Sequence, residues 1–220
     1  PVDADGVTAA WIAEPGCDAS RVILFLHGGG FRLGSIVSHL DLMQRLSASS
    51  GARVLALEYR LAPEHVFPAP VEDALVAYRW LLRTHPGARV AFAGDSAGGG
   101  LCIAAMVAAR AAGDALPRAA VLMSALTDLT AERRSYTTHA ALDPIHNCAL
   151  ILAVAKGYLG EADPRNPLAS PIFGDLAGLS LPPGVKPPGE AVVIQRQHGG
   201  GEERGIDGAG TADGKGSDRN

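Results

Sequence analysis

Cysteine, long apolar runs and excess positive charge are scarce in this chain of 220 residues. Its three cysteines show no C-x-x-C spacing, which predicts neither a disulfide framework nor a zinc site and favours a cytoplasmic location. No apolar run is long enough to span a bilayer, and the first residues lack the pattern of a secretion signal. The formal net charge of -4 gives no basic surface for nucleic acid. We therefore expect a small-molecule partner, and a homo-oligomer is left open.

Patterns for metal and nucleotide binding are also missing. The histidines are scattered, with no H-E-x-x-H and no clustered carboxylates, so no metal site is expected. G-x-G-x-x-G is absent, and "GDSAGGG" at 94–100 lacks the Lys-Ser/Thr ending of a P-loop. Without either glycine-rich phosphate-binding motif, the sequence gives no support to nucleotide binding.

Short apolar runs alternate with helical patterns over most of the chain. Runs that are too short for helices, and that Gly, Pro or polar residues bound, predict buried strands. They cover residues 21–28, 52–59, 89–95 and 119–126. Apolar residues spaced three and four apart predict helices at 38–49 and 71–85. The alternation predicts an α/β fold whose central sheet is mostly parallel and flanked by helices.

Composition divides the chain into a core, residues 1–181, and a tail, residues 182–220. Within the core, residues 125–165 interrupt the alternation with a polar stretch and then an apolar helix. This insertion is either a partial lid over a site or an ordinary crossover helix with a long connection. The tail is rich in Pro, Gly and charge, with "AVVI" as its last strand-like run, so we expect it to be aberrant and disordered.

One serine stands where a predicted strand meets a predicted helix. Gly94, Asp95, Ser96, Ala97 and Gly98 match G-x-S-x-G in the strand-to-helix context of a nucleophile elbow. The sharp turn raises the serine hydroxyl above the sheet edge, and glycines are needed because side chains there would collide with neighbouring backbone. The alternative is a glycine-rich turn that binds phosphate or only reverses the chain.

A second motif, "LFLHGGGF", ends an earlier predicted strand. Its glycines Gly28, Gly29 and Gly30 match the H-G-G-G loop that supplies N–H groups to an oxyanion hole, together with the amide of Ala97. In other enzymes one such donor contributes about 2.7 to 4 kcal/mol to transition-state binding. His27 precedes the glycines at the strand end, so we expect it to hold the loop in shape and not to act in catalysis.

With these motifs the chain resembles the hormone-sensitive-lipase-like family of α/β-hydrolases, bacterial carboxylesterases and lipases in particular. The blocks that carry the resemblance are "HGGGF" (27–31), "YRLAPEHVFPAPVEDA" (59–74), "GDSAGGGL" (94–101), "TDL" (127–129) and "DPRNPLASPIFGDLAGL" (163–179). The resemblance implies hydrolysis of carboxylic esters with short or medium acyl chains, without a cofactor. Ser96 would attack the ester carbonyl, and a histidine oriented by a carboxylate would be the base. Glu64 and His65 fall in a block that looks structural.

The acid and the base are not found where the resemblance places them. The chain order should be Ser, then Asp or Glu, then His, but His198 is the only histidine after His146 and the nearest acids follow it. We therefore expect the last strand and helix of the fold, and the family segment ahead of Pro1, to be missing, and ester turnover to be weak. Reading plausible codons of "QRQHGGGEE" one nucleotide later gives an acidic block similar to the family's, which makes a frameshifted tail one hypothesis.

Two other interpretations stay open. Gibberellin receptors are similar to this family and hold a ligand without hydrolysing it, so a non-catalytic small-molecule-binding protein is the alternative function. A fragment that does not fold stably is the third interpretation. The intact nucleophile and glycine motifs favour the enzyme.

Overall fold

The computed structural model describes residues 1–138, Leu142, Ile145 and residues 147–179. Within them a six-stranded sheet has the order β1-β2-β4-β3-β5-β6. Its strands are β1 (Val2–Ala4), β2 (Val7–Ile12), β3 (Asp18–Leu26), β4 (Ala52–Leu57), β5 (Arg89–Asp95) and β6 (Ala119–Met123). The pairs β4–β3, β3–β5 and β5–β6 are parallel, whereas β2 is antiparallel to β1 and to β4. The predicted, mostly parallel sheet is confirmed.

Helices connect and extend these strands. They are α1 (Leu40–Ser50), α2 (Ala69–Thr84), α3 (Ala97–Ala112), α4 (Ser135–Thr138) and α5 (Cys148–Leu159). The first and third end on Gly51 and Gly113, whose left-handed φ values of 64° and 75° suit a residue without Cβ. Asn147 begins α5 by accepting a hydrogen bond from the Leu150 N–H group at 2.9 Å. The helices predicted at 38–49 and 71–85 correspond to α1 and α2, with ends that differ by one or two residues.

Alternation along β3 divides the core into two layers. Ile23 and Phe25 belong to a cluster with Met43 of α1. The alternate residues Leu24 and Leu26 belong to a larger cluster that includes residues of α2 and α3. Because successive side chains of a strand point to opposite faces, helices cover both faces of the sheet. The carboxyl ends of the parallel strands are left at one edge, where the glycine motifs follow β3 and β5.

A hairpin precedes the strands that the sequence predicts. Asp5 and Gly6 join β1 to β2 with φ values of 59° and 90°, the left-handed pair that a two-residue hairpin turn requires. Through this hairpin the sheet extends beyond β4, with Ala9 opposite Leu57. The sequence pattern predicts no strand before residue 21, so this extension is a difference between prediction and structure.

Several predictions fall on residues outside the described ranges. They are the tail at 182–220 with His198 and "AVVI", and the middle of the insertion at 125–165. No helix in the described ranges combines the length and the hydrophobicity needed to cross a membrane. The same residues contain no group of three or more His, Cys, Asp or Glu side chains placed to hold a metal ion.

Candidate active site

The predicted site residues gather at the carboxyl edge of the sheet. Ser96 follows β5 directly, and Ser124 follows β6. The glycine loop begins after Leu26, the last residue of β3. In parallel strands these ends lie side by side, so the fold brings the two glycine motifs together although they are far apart in sequence.

Ser96 occupies a strained turn between β5 and α3. Its φ of 50° and ψ of -119° are unusual for a residue with a side chain, and such a conformation costs about 1–3 kcal/mol. Three backbone hydrogen bonds hold it. The Ser96 N–H group donates to the Met123 carbonyl at 2.8 Å, and the Ser96 carbonyl accepts from Leu126 N–H at 2.8 Å and from Gly100 N–H at 3.2 Å. The residue is half-buried, as an elbow at the rim of a cavity requires.

The glycines of the elbow stand where backbone segments meet. A Cβ atom on Gly94 would lie 2.6 Å from the carbonyl carbon of Gly98. A Cβ atom on Gly98 would overlap the carbonyl oxygen of Leu26, at the end of β3. These collisions with neighbouring backbone are the ones that the sequence predicts, and they explain why glycine is needed on both sides of Ser96.

The second glycine loop turns sharply after β3. Gly29 and Gly30 have φ values of 123° and 62°, and the Gly29 carbonyl accepts hydrogen bonds from the N–H groups of Arg32 and Leu33 at 3.1 and 3.0 Å. Within the described ranges the amides of Gly29, Gly30 and Ala97 donate no hydrogen bond. Amides of this kind at a cavity wall are able to bind an anionic oxygen.

The structure gives the Gly28 amide a different partner from the one the sequence suggests. Its N–H group donates to Oδ1 of Asp95 at 2.9 Å, and a Cβ atom on Gly28 would overlap the Asp95 carboxylate. Nε2 of His39 lies 3.4 Å from the same carboxylate oxygen. The Gly28 amide is therefore engaged, because the elbow that exposes Ser96 also turns the preceding Asp95 toward the glycine loop.

His27 lies beneath this loop as a buried residue, with 1% of its surface exposed. Its Nδ1 is 2.8 Å from the Gly28 carbonyl oxygen, and because a carbonyl only accepts, Nδ1 carries the proton. The Tyr59 hydroxyl donates to the His27 carbonyl at 2.6 Å, and the two rings stack. Nε2 has no hydrogen-bond partner in the described ranges, and burial lowers the pKa of His27. These contacts make His27 a neutral support of the glycine loop.

A cavity of about 660 Å³ opens above the two loops. Gly29, Gly30 and Ser96 lie in its wall together. The remaining lining residues are Arg32, Leu33, Ala62, Pro63, Ser124, Ala125, Leu126, Tyr136, Leu150, Ile151 and Val154. The last three belong to α5, so the helix predicted in the insertion forms one side of the cavity.

Aromatic contacts join α5 to the glycine loop. The rings of Phe31 and Tyr158 stack with centroids 3.8 Å apart and an angle of 9° between their planes. The Tyr158 carbonyl accepts a hydrogen bond from Phe67 N–H at 2.7 Å, and Ala62 N–H donates to the Phe31 carbonyl at 2.8 Å. The block at 59–65 therefore packs against the glycine loop, with Ala62 and Pro63 in the cavity wall and His65 exposed.

No histidine of the described residues forms a hydrogen bond with the Ser96 hydroxyl. His27 is bound to Gly28, and His39 lies against Asp95. The predicted candidate His198 lies outside the described residues. Sequence reasoning missed the contact of Asp95 with Gly28; the only signal was that Asp95 directly precedes the serine of the elbow.

Known proteins share this arrangement over most of the chain. A family model described as "alpha/beta hydrolase fold" matches residues 23–185. An acetyl-hydrolase of Streptomyces hygroscopicus is 50% identical over 173 residues, which are 78% of this chain and 58% of that protein. The carboxylic ester hydrolase LipN of Mycobacterium tuberculosis is 34% identical over 82% of this chain and 51% of its own length.

Solved structures agree with the sequence relatives. The crystal structure of an esterase from the bacterial hormone-sensitive lipase family superposes with a TM-score of 0.79 at 47% identity, over 82% of this chain and 61% of that one. The chain thus spans between half and two thirds of the length of these proteins. The matched family model, the parallel sheet and the two glycine loops agree: the chain belongs to the α/β-hydrolase fold family, as a hormone-sensitive-lipase-like member.

Proposed function

We propose that this chain carries the nucleophile and the oxyanion donors of a carboxylic ester hydrolase. The observation that carries the proposal is that Ser96, Gly29 and Gly30 line one cavity. The names of the relatives, an acetyl-hydrolase and a carboxylic ester hydrolase among them, support the same reaction. The apolar lining of the cavity suits esters with a short or medium acyl chain.

In the proposed reaction the Ser96 hydroxyl attacks the ester carbonyl carbon. The carbonyl oxygen becomes an oxyanion, which the amides of Gly29, Gly30 and Ala97 stabilise. The amino-terminal end of α3 adds a positive dipole next to the reacting carbon. The alcohol then leaves, and water releases the acyl group from Ser96. A histidine base and its orienting carboxylate complete this scheme, and their identity stays a prediction.

We assign Gly28 to the support of the loop and leave it out of the oxyanion hole, because its N–H group already donates to Asp95. Residues 1–181 form the hydrolase core in this proposal. Within the core, α5 acts as part of a lid, since Leu150, Ile151 and Val154 line the same cavity as Ser96. Cytoplasmic location stays a prediction as well.

Labelling with an organophosphonate tests the proposal. A phosphonate forms a covalent bond with a serine nucleophile that faces oxyanion donors, so mass spectrometry should find the adduct on Ser96. The adduct should form slowly, because no histidine of the described residues contacts the Ser96 hydroxyl. The variant S96A should not be labelled. Ser124 lines the same cavity without being part of the elbow, which makes S124A the matched control, and it should be labelled like the unmodified chain. A folded protein whose Ser96 does not react would favour the alternative, a small-molecule-binding protein that does not catalyse.

A further inference from the structure

Arg32 is the only charged residue among those that line the cavity in the described part of the chain. The other lining residues are apolar, glycine, serine or tyrosine. Arg32 lies two residues after Gly30, and its own N–H group is fixed by the hydrogen bond to the Gly29 carbonyl. A single positive charge therefore stands at the wall that also carries the oxyanion amides.

The Arg32 guanidinium has no carboxylate partner among the described residues. Ion pairs engage many of the other described arginines: Arg45, Arg60, Arg79, Arg83, Arg89, Arg110, Arg133 and Arg165. A guanidinium presents several N–H donors in one plane, a geometry that matches the two oxygens of a carboxylate. At Arg32 these donors are available to a ligand.

The Arg32 side chain contacts helix α5 at Gly157. A Cβ atom on Gly157 would lie 3.1 Å from Cδ and 3.3 Å from Nε of Arg32. A methyl group at this position would make the Arg32 side chain shift by a few tenths of an ångström. The arginine therefore lies against α5 at the cavity wall, in contact with the backbone of Gly157.

We propose that Arg32 binds a carboxylate carried by the substrate, so that the preferred esters are anionic, with a carboxylate a few bonds from the scissile ester group. The inference rests on the proposed ester hydrolysis and adds its substrate class. A half-ester of a dicarboxylic acid carries the carboxylate on the acyl part, and an acylated hydroxy acid carries it on the alcohol part. Both present the same group to the guanidinium.

Binding is measured in the S96A background, where no ester is consumed. Monomethyl succinate is compared with its neutral isostere methyl 4-methylpentanoate, and 3-acetoxypropanoate with 3-methylbutyl acetate, by NMR titration. For at least one pair the anionic ester should bind about fivefold tighter at low salt, the size expected for a charge-assisted pair that solvent partly screens. The preference should shrink as the salt concentration rises, because ions screen an exposed charge.

Three further variants separate Arg32 from other causes. R32Q should abolish the preference for the anionic ester. R118Q removes the same charge from an exposed arginine that does not line the cavity, and it should keep the preference. G157A places a methyl group against the Arg32 side chain and should weaken the preference, while Ala favours the helix.

The pair that shows the preference identifies which part of the substrate carries the charge. Equal binding of the anionic and neutral members in both pairs would overturn the proposal, and so would a preference that survives in R32Q. Labelling of Ser96 in the unmodified chain is scored separately. A labelled serine without an anionic preference therefore sinks only this inference, whereas an anionic preference without labelling sinks only the hydrolase.

Discussion

The hydrogen bond from Gly28 to Asp95 joins the glycine loop to the elbow, and two substitutions of Asp95 measure its strength. Asparagine keeps an oxygen that accepts the bond but removes the charge. Alanine removes the acceptor and leaves the Gly28 N–H group, which belongs to a buried residue, without a partner. Both variants lose the negative charge ahead of α3, so their difference isolates the hydrogen bond.

The expected magnitudes follow from the burial and the charge. A hydrogen bond to a charged group contributes about 1.5–3 kcal/mol and a neutral one about 0.5–1.5 kcal/mol, so D95N should lower the free energy of unfolding by about 1 kcal/mol. The D95A variant leaves an unpaired buried donor, which costs about 1–3 kcal/mol, so its total loss should exceed that of D95N. Because Gly28 precedes Gly29 and Gly30, D95A should also slow phosphonate labelling of Ser96 more than D95N does.

Urea unfolding gives the stabilities, and D41N is the matched control. Asp41 carries a negative charge in the first turn of α1, but its side chain is 78% exposed, and among the described residues it pairs with Arg45 on the surface. An exposed pair of this kind contributes about 0.3–0.5 kcal/mol. If D95A is no less stable than D95N, or if neither differs from D41N, the Asp95 carboxylate does not hold the glycine loop and the reasoning fails.

Three other predictions concern buried groups and turnover. Tyr59→Phe removes the donor to the His27 carbonyl and should lower the free energy of unfolding by about 1–3 kcal/mol. Tyr158→Phe removes a buried hydroxyl without a partner in the described ranges and should raise the free energy of unfolding by about 1 kcal/mol. Urea titrations of both variants check the two signs. Burial lowers the pKa of His27 below its ordinary value of 6.5, so the unfolded chain binds more protons, and stability that is present above pH 6.5 should be lost as the pH falls. His27→Asn should reduce this slope in unfolding experiments across pH, and a slope equal to that of the unmodified chain would contradict the assignment. The purified chain should hydrolyse p-nitrophenyl acetate slowly, since no histidine of the described residues contacts the Ser96 hydroxyl and oxyanion donors with binding alone leave only about 10³–10⁴ over water. Turnover at the rate of a complete triad would refute this.

The parallel part of the fold is readable from the sequence because local signals and burial agree there. The runs at 21–28, 52–59 and 89–95 are apolar and short, and the structure buries most of their residues. The run at 119–126 also forms a strand, β6, but only Ala120 of that strand is buried, so the prediction of a buried strand is wrong there. The elbow is equally readable, since glycines at 94 and 98 are required by contacts that the strand-to-helix turn always creates.

Other features depend on contacts that no local pattern announces. The strand Val7–Ile12 contains two alanines and one tryptophan, and its place beside β4 is fixed by pairing across more than forty residues. The Asp5-Gly6 turn was the available signal for this hairpin. The partner of Gly28 is 67 residues away in sequence, so only the folded chain brings the Asp95 carboxylate to that amide.

The stacked rings of Phe31 and Tyr158 have a mechanical consequence. Because one ring directly follows the glycine loop and the other belongs to α5, the stacked pair couples the two segments, and we expect a displacement of one to displace the other. A swing of that helix wide enough to admit a bulky ester would pull the amides out of alignment with the serine. Among the described residues no comparable ring pair holds the end of α5 near Leu150, so we expect that end to yield to an entering ester more readily than the end at Tyr158.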